Sequence, residues 1–475
     1  MLFQSFDFLL FFPLVTGIYF LLPVKFRWIW ILLASYGFYM FWNPWYILLL
    51  IGSTLTDYIA ALAIANTTSL SRKKQWLALS LTINLGLLGL FKYYNFFAEQ
   101  FAWVIRHFDP DFSPHLLSLL LPIGISFYTF QTIGYTLDVY HGRQAPIKHL
   151  GKFAIYVSFF PQLVAGPIER AKDLLPQLHF DYAFDPQRIT EGLRLFLWGL
   201  FKKLVVADRL GVFVTAVFGA PAEHSGWVVL VAGYLFFFQI YYDFSAYQDM
   251  ALGTARILGV RLSKNFEPLT LLTSSFRTFW RGWHITLTTW IRDYIYVPLA
   301  LNEKKLSTIA LGPIYVFFVV GLWHGANWTY VIWGTLHGVY LAVERLLLPV
   351  SNFLAKKLGT IFIKLLGFIL FFNAFTFANI FFRARSVAEA VFLMEQIFTV
   401  PGTNLNPGLH PFEFQLLWMV LGGSVLFEYS RRKWPAIDLL NFQQTWLRWT
   451  VYIVLGLMVW FLRIPEDVQF IYFEF

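Results

Sequence analysis

Runs of apolar residues long enough, or nearly long enough, to cross a bilayer follow one another along most of this chain, and that succession limits its folds more than any other feature. They cover Phe8 to Val24, Trp28 to Trp42, Trp45 to Ala65, Trp76 to Phe91 and Leu116 to Leu137, then Val228 to Tyr242, Ile309 to Leu322, Trp328 to Leu348, Ile361 to Phe382, Phe414 to Phe427 and Trp449 to Leu462. A hydrocarbon core about 30 Å thick takes about 20 helical residues to span. The runs are continuous rather than alternating with period two, so helices are expected and a β-barrel is not. The expected fold is all-α: a polytopic membrane protein of about ten to twelve helices with short re-entrant or interfacial pieces, forming one membrane domain over residues 1–475.

Composition agrees with that solvent. The chain is 58% hydrophobic and 13% charged, with a mean hydropathy of +0.59, which is more apolar material than one soluble core uses. The net charge of +9 does not point to nucleic acid, because the cations sit in short connections between apolar runs. Lys25 and Arg27, then Arg72 to Lys74, then Arg143, Lys148 and Lys152 mark alternate loops as cytoplasmic and place the N-terminus outside. Phe8 to Val24 lacks a basic leader and a small-residue cleavage site, so it reads as a first membrane helix rather than a removed signal peptide. The chain has no cysteine; disulfides, thiolate-bound metals and a protein thioester are excluded, and any acyl thioester must arrive on a carrier.

The middle of the chain resists simple spans. Leu193 to Ala220 is interrupted by Lys202, Lys203, Asp208 and Arg209, and Ile155 to Val164 is too short to cross, so re-entrant or tilted pieces are expected. A polar, basic stretch from Asp243 to Lys305 follows.

Three segments carry candidate chemistry. Gly321-Leu-Trp-His-Gly-Ala-Asn-Trp-Thr-Tyr330 lies between two apolar runs, where an imidazole is costly unless hydrogen-bonded or facing water, so His324 is either a functional or a helix-bridging residue. Ser275 to Tyr294 reads as an amphipathic helix at a membrane interface, with Trp280, Trp283 and Trp290 as anchors and His284 at its centre. Its Arg277, Arg281 and Arg292 suit phosphate, whether of an acyl carrier or of lipid headgroups. His337, in Trp333-Gly-Thr-Leu-His-Gly338, reads first as a helix-to-helix hydrogen bond and second as a site residue, while Gly334 and Gly338 fit close helix contact. Asp243, Ser245, Asp249, Gln162 and Glu169 either line a polar cavity or orient the histidines; for Asp243 and Ser245 helix capping is the plain alternative. Gly166-Pro167 marks a chain break that membrane depth tolerates only inside protein or water.

No GxSxG, Walker A, GxGxxG or HExxH pattern occurs, and the histidine spacing matches no metal-ligand pattern, so no metal is expected. Acid and base chemistry by histidine is left, and its simplest form is removal of a proton from an acceptor hydroxyl that attacks a thioester.

These residues look familiar together. Arg281-Gly-Trp-His284, Gly321-Leu-Trp-His-Gly325, Trp333-Gly-Thr-Leu-His-Gly338, Pro122-Ile-Gly-Ile-Ser-Phe-Tyr-Thr-Phe-Gln131 and Gly166-Pro-Ile-Glu-Arg170 resemble the membrane-bound O-acyltransferase (MBOAT) superfamily, and more narrowly its bacterial alginate O-acetylation (AlgI-like) branch. The likeness runs from Met1-Leu-Phe-Gln-Ser-Phe6 to Phe470-Ile-Tyr-Phe-Glu-Phe475. It implies His324 as catalytic histidine and His284 as a second polar residue of the site, with Arg277, Arg281, Trp283, Trp323 and Asn327 expected to hold the donor. It further implies acetyl-CoA as the donor, cytoplasmic and extracytoplasmic funnels joined by a tunnel, a place in the bacterial inner membrane, and partnership with a periplasmic SGNH-type acetyltransferase and polysaccharide export proteins. Membrane lipids are the solvent partner. Competing expectations are a D-alanyl or longer-chain acyltransferase of the same superfamily and a polysaccharide or lipid transporter.

Overall fold

The chain divides into two compact units, residues 1–196 with 250–263, and residues 197–249 with 264–475. The computed structural model describes residues 1–300, 306–433, 444–464 and 470–471; Lys305 and the last four residues of the C-terminal motif lie outside that description. Six helices among the described residues are long and apolar enough to cross a membrane: Pro44–Asn66, Leu70–Ile105, Gly226–Ile257, Trp328–Leu358, Thr360–Arg383 and Thr445–Leu462. Phe6–Leu21 and Leu311–His324 are shorter apolar helices.

The first unit holds α1 (Phe6–Leu21), α2 (Val24–Met40), α3 (Ile47–Asn66), α4 (Leu70–Leu88), α5 (Tyr94–Ile105), α6 (Ile125–Tyr140), α7 (Leu150–Ser158), α8 (Phe160–Leu163), α9 (Ala171–Leu174) and most of α10 (Pro186–Phe201). Its polar centre is Asp57 of α3, whose carboxylate accepts from Asn84 of α4 at 2.8 Å, from Thr136 of α6 at 3.0 Å and from Ser80. Donors from two neighbouring helices thus satisfy the buried acid of a third, which is the condition for keeping it away from water. The expected crossing Leu116 to Leu137 does not form as one helix. Residues 112–122 are irregular, since Pro122 fixes the backbone ahead of Gly124, which turns with φ 78° before α6 begins. A Cβ at Gly124 would sit 2.5 Å from the carbonyl oxygen of Leu163, so the turn also demands a close approach.

The segment after α7 matches the expectation of a short, non-spanning piece. Phe159 to Glu169 is entirely buried, including the Gly166-Pro167 break, and protein groups take up its polar atoms. Gln162 and Gln131 both donate to the Tyr156 carbonyl, at 2.8 and 2.6 Å. Glu169 accepts from the amide and hydroxyl of Ser263, at 2.5 and 2.8 Å, and burial pushes its carboxyl up to about 7.

The second unit holds the end of α10, α11 (Asp208–Gly219), most of α12 (Gly226–Ile257), α13 (Phe276–Gly282), α14 (Ile285–Ile291), α15 (Val297–Ala300), α16 (Leu306–His324), α17 (Trp328–Leu358), α18 (Thr360–Arg383), α19 (Val387–Thr399), α20 (Pro411–Lys433) and α21 (Thr445–Leu462). Leu193 to Ala220 is not interrupted, contrary to the sequence expectation: α10 continues through a π-helical turn, Lys202–Ala207, into α11. The charges that suggested a break are neutralised inside protein. Lys202 pairs with Asp249 at 2.8 Å and donates to Ser245 at 2.9 Å, and Lys203 pairs with Asp208 and Asp243, both at 2.8 Å. Asp243, Ser245 and Asp249 lie within α12, so the two nearer ones are not helix caps. Asp243 also accepts from the Ile471 amide at 2.8 Å.

Helices α16 and α17 pack backbone to backbone. A Cβ at Gly334 would lie 2.8 Å from the Cα of Gly321, and one at Gly338 would lie 2.6 Å from the Cα of Ile314. The small residues at these positions are what lets the two helices meet, as their spacing indicated.

Candidate active site

Local folding places each histidine differently. Ser275 to Tyr294 is not one amphipathic helix. It is α13, a break at Trp283 and His284, then α14 and a π-helical turn Arg292–Tyr296. His284 forms the break with φ 43° and ψ 53°, a left-handed conformation costly for a residue with a Cβ. Asn265 holds it: the Asn265 carbonyl accepts from the Ile285 amide at 3.0 Å, and its side-chain oxygen accepts from the amide and hydroxyl of Thr286 at 3.0 and 2.6 Å. At the other end of α13, Glu344 of α17 accepts from the Ser275 hydroxyl at 2.6 Å and the Phe276 amide at 2.7 Å, a carboxylate at a helix N-terminus.

Trp280, Trp283 and Trp290 are buried, 6%, 5% and 5% exposed, rather than anchored in an interface. Hydrophobic rings suit both places, and here protein supplies the surroundings: Trp283 stacks on Phe279 at 5.2 Å and meets Phe266 at 5.0 Å. Arg277 and Arg281, one turn apart on α13, are exposed.

His324 ends α16 and is 5% exposed. Its ring meets Trp323 and Trp333 at 4.9 Å each and Phe382 at 5.3 Å. His284, 1% exposed, meets Phe244 at 4.9 Å and Trp323 at 6.1 Å. His337, fully buried, meets Trp333 at 4.9 Å, Phe375 at 4.6 Å and Trp280 at 5.3 Å. The three imidazoles therefore alternate with two indoles, in the order His284, Trp323, His324, Trp333, His337. The hydrogen bond to a neighbouring helix expected of His337 does not form: among the described residues neither of its ring nitrogens has a hydrogen-bond partner. His284 lies outside the six spanning helices, and burial pushes its imidazole down to about 3, so it is neutral at pH 7.

Asn327 serves as the N-cap of α17, its side-chain oxygen accepting from Thr329 at 3.1 Å and its amide donating to the Arg385 carbonyl at 3.2 Å. Phe244 and Phe382 pack on His284 and His324, Asn379 bonds Trp333, Asn265 holds the turn at His284 and Glu344 the start of α13, and local sequence does not single them out. Asn379 alone left a trace, as a buried amide inside the apolar run Ile361 to Phe382. Its side-chain oxygen accepts from the Trp333 indole at 3.2 Å.

Comparison with known proteins bears on this arrangement. Residues 147–386, which contain all three histidines, match the MBOAT, membrane-bound O-acyltransferase family. The chain is 36% identical over 405 residues to a peptidoglycan O-acetyltransferase of Helicobacter pylori, covering 79% of this chain and 75% of the relative. It is 38% identical over 352 residues to a probable alginate O-acetylase AlgI of Pseudomonas putida, covering 73% and 71%. A teichoic acid D-alanyltransferase of Streptococcus thermophilus is 27% identical over 248 residues, covering 48% and 57%. An imidazole set among indoles at a helix end, in a multi-pass chain matched over half its length, identifies the protein as a member of the membrane-bound O-acyltransferase family and as an O-acyltransferase.

Proposed function

We propose that this protein moves acetyl from cytoplasmic acetyl-CoA across the bacterial inner membrane for O-acetylation of an exported polysaccharide, alginate or a polymer like it. In this reading residues 1–475 work as one membrane domain with the N-terminus in the periplasm. The observation that carries it is the setting of His324, buried at the end of α16 between Trp323, Trp333 and Phe382. A neutral imidazole there takes the proton of an acceptor hydroxyl, whose oxygen attacks the thioester carbonyl carbon. The carbon–sulfur bond breaks, and the leaving thiolate receives the proton back from the imidazolium.

His284 orients the acyl group beside Trp323. Arg277 and Arg281 hold phosphates of the donor, with Trp283, Trp323 and Asn327 completing its site. Export requires a second protein on the outer side, of the periplasmic SGNH acetyltransferase class, to finish transfer to the polymer. The Streptococcus relative's name supports one alternative, a D-alanyl group as cargo, and the Helicobacter relative's name supports peptidoglycan as acceptor.

The test is acetyl release from labelled acetyl-CoA by the full chain in lipid nanodiscs with a soluble hydroxyl acceptor. His324→Ala is expected to lower turnover by about a hundredfold or more at unchanged folded yield. Equal turnover in the variant overturns His324 as base, and turnover with D-alanyl carrier but not acetyl-CoA overturns the donor.

A further inference from the structure

In the second unit α20 and α21 leave an apolar groove of about 660 Å3 between them, floored by Trp198 and Phe201 at the end of α10. A cavity of about 150 Å3 already admits benzene, so this one is long enough for a chain. On α20 the lining runs from Leu416 to Phe427, eleven residue steps or about 16 Å at 1.5 Å each. That is about half of a 30 Å hydrocarbon core, the depth of one leaflet. The groove persists because α21 is barely packed: Leu455 is the one buried residue in that helix.

The ends of the groove differ. At one end Arg209 ties Glu413, near the start of α20, to the Leu462 carbonyl that closes α21, so the two helices run antiparallel. The other end therefore gathers the last turn of α20 and the first turn of α21. There Arg431 lies 5.7 Å over the Trp198 ring, which itself packs on Phe427 at 4.6 Å, and Arg432 and Lys433 are exposed beside it. Trp446 and Trp449, 69% and 59% exposed, open α21 at the same level with Arg448 between them. Exposed indoles and cations at one level mark the headgroup zone of a bilayer.

We infer that this groove binds an anionic phospholipid of the surrounding bilayer, one acyl chain lying between α20 and α21 and its phosphate meeting the Arg432 and Lys433 end. The apolar lining accounts for the chain, and the cationic end accounts for the headgroup, since guanidinium and ammonium groups recognise phosphate.

Gly423 lines the groove, and a Cβ there meets nothing within 4 Å; a larger side chain at this position takes up space in the groove that a lipid chain would fill. The full-length protein is to be reconstituted in nanodiscs of equal phosphatidylglycerol and phosphatidylcholine, released, and weighed by native mass spectrometry. Wild type is expected to retain phosphatidylglycerol in preference to phosphatidylcholine, Gly423→Trp to lose both, and Arg432→Gln with Lys433→Gln to keep a lipid while losing about fivefold of the preference per cation. Gly423→Leu gives the same reading if the tryptophan variant does not fold. Undiminished phosphatidylglycerol on both Gly423 variants overturns the site, and equal retention of the two lipids by wild type overturns the headgroup assignment. A wild-type dimer that Gly423→Trp converts to monomer assigns the groove to a second copy instead.

Discussion

The Trp333 indole nitrogen donates to the Asn379 side-chain oxygen across 3.2 Å, and this one bond fixes the ring that stands between His324 and His337. Replacing Asn379 with Leu leaves a buried donor unmade, at a cost of about 1–3 kcal/mol, and frees the indole to tilt. The expected outcome is a lower thermal midpoint and a fall in acyl transfer of about tenfold or more, since small misplacements near reacting groups are expensive. Adding Trp333→Phe removes the orphaned donor and should restore the midpoint but not the rate; fluorescence-detected unfolding and labelled-acyl assays check both.

His284 gives a pH signature. Its folded pKa, about 3, lies below the ordinary 6.5, so between those values the unfolded chain binds the extra proton. Stability then rises with pH through that window, by up to about 1.4 kcal/mol per unit, and is flat above 6.5. Glu169 works in the opposite sense: its carboxyl is raised from 4.5 to about 7, so its contribution is full below 4.5 and lost as pH rises to 7. His284→Asn, whose side chain tolerates the left-handed backbone, should leave stability falling as pH rises from 4.5 to about 7, while Glu169→Gln should leave it rising up to 6.5 and level above. Thermal midpoints measured from about pH 3 to about pH 8 span both windows and separate the two.

Lys203 links Asp208 and Asp243. Lys203→Met strands two buried carboxylates and is expected to cost about 3–5 kcal/mol, whereas the same change combined with Asp208→Asn and Asp243→Asn should recover most of it. The recovery of folded protein from detergent extracts reports the difference.

Close contact between α16 and α17 predicts a sharp contrast among glycines. Gly338→Ala must push the Ile314 backbone away, moving His324 at the end of α16 and Trp333 on α17, so both folded yield and activity should fall. Gly422→Ala, where a Cβ meets nothing within 4 Å, should match wild type in both measurements.

The histidines were legible because an imidazole amid apolar runs is conspicuous, and the glycines because their spacing is periodic. Much else depended on partners distant in sequence. Lys202 and Lys203 look like a break until Asp243 and Asp249, some forty positions on, are seen to meet them. Trp280, Trp283 and Trp290 read as interfacial anchors because an indole among arginines fits that place, and only packing against Phe317, against Phe279 and Phe266, and against Tyr294 respectively shows them buried. The left-handed turn at His284 has no glycine or asparagine to announce it; its cause is Asn265, which sits nineteen positions earlier and acts through backbone bonds.

The π-helical turn Lys202–Ala207 has a consequence of phase. Such a turn carries one residue more than the α-helical ladder closes, so it offsets every side chain beyond it by about 100° around the axis. Were the turn to close as α-helix with all its residues kept, Asp208–Gly219 would rotate as a body by that angle, carrying Asp208 off Lys203 and Arg209 off Glu413 together. Along this stretch the chain keeps its register by length as much as by chemistry.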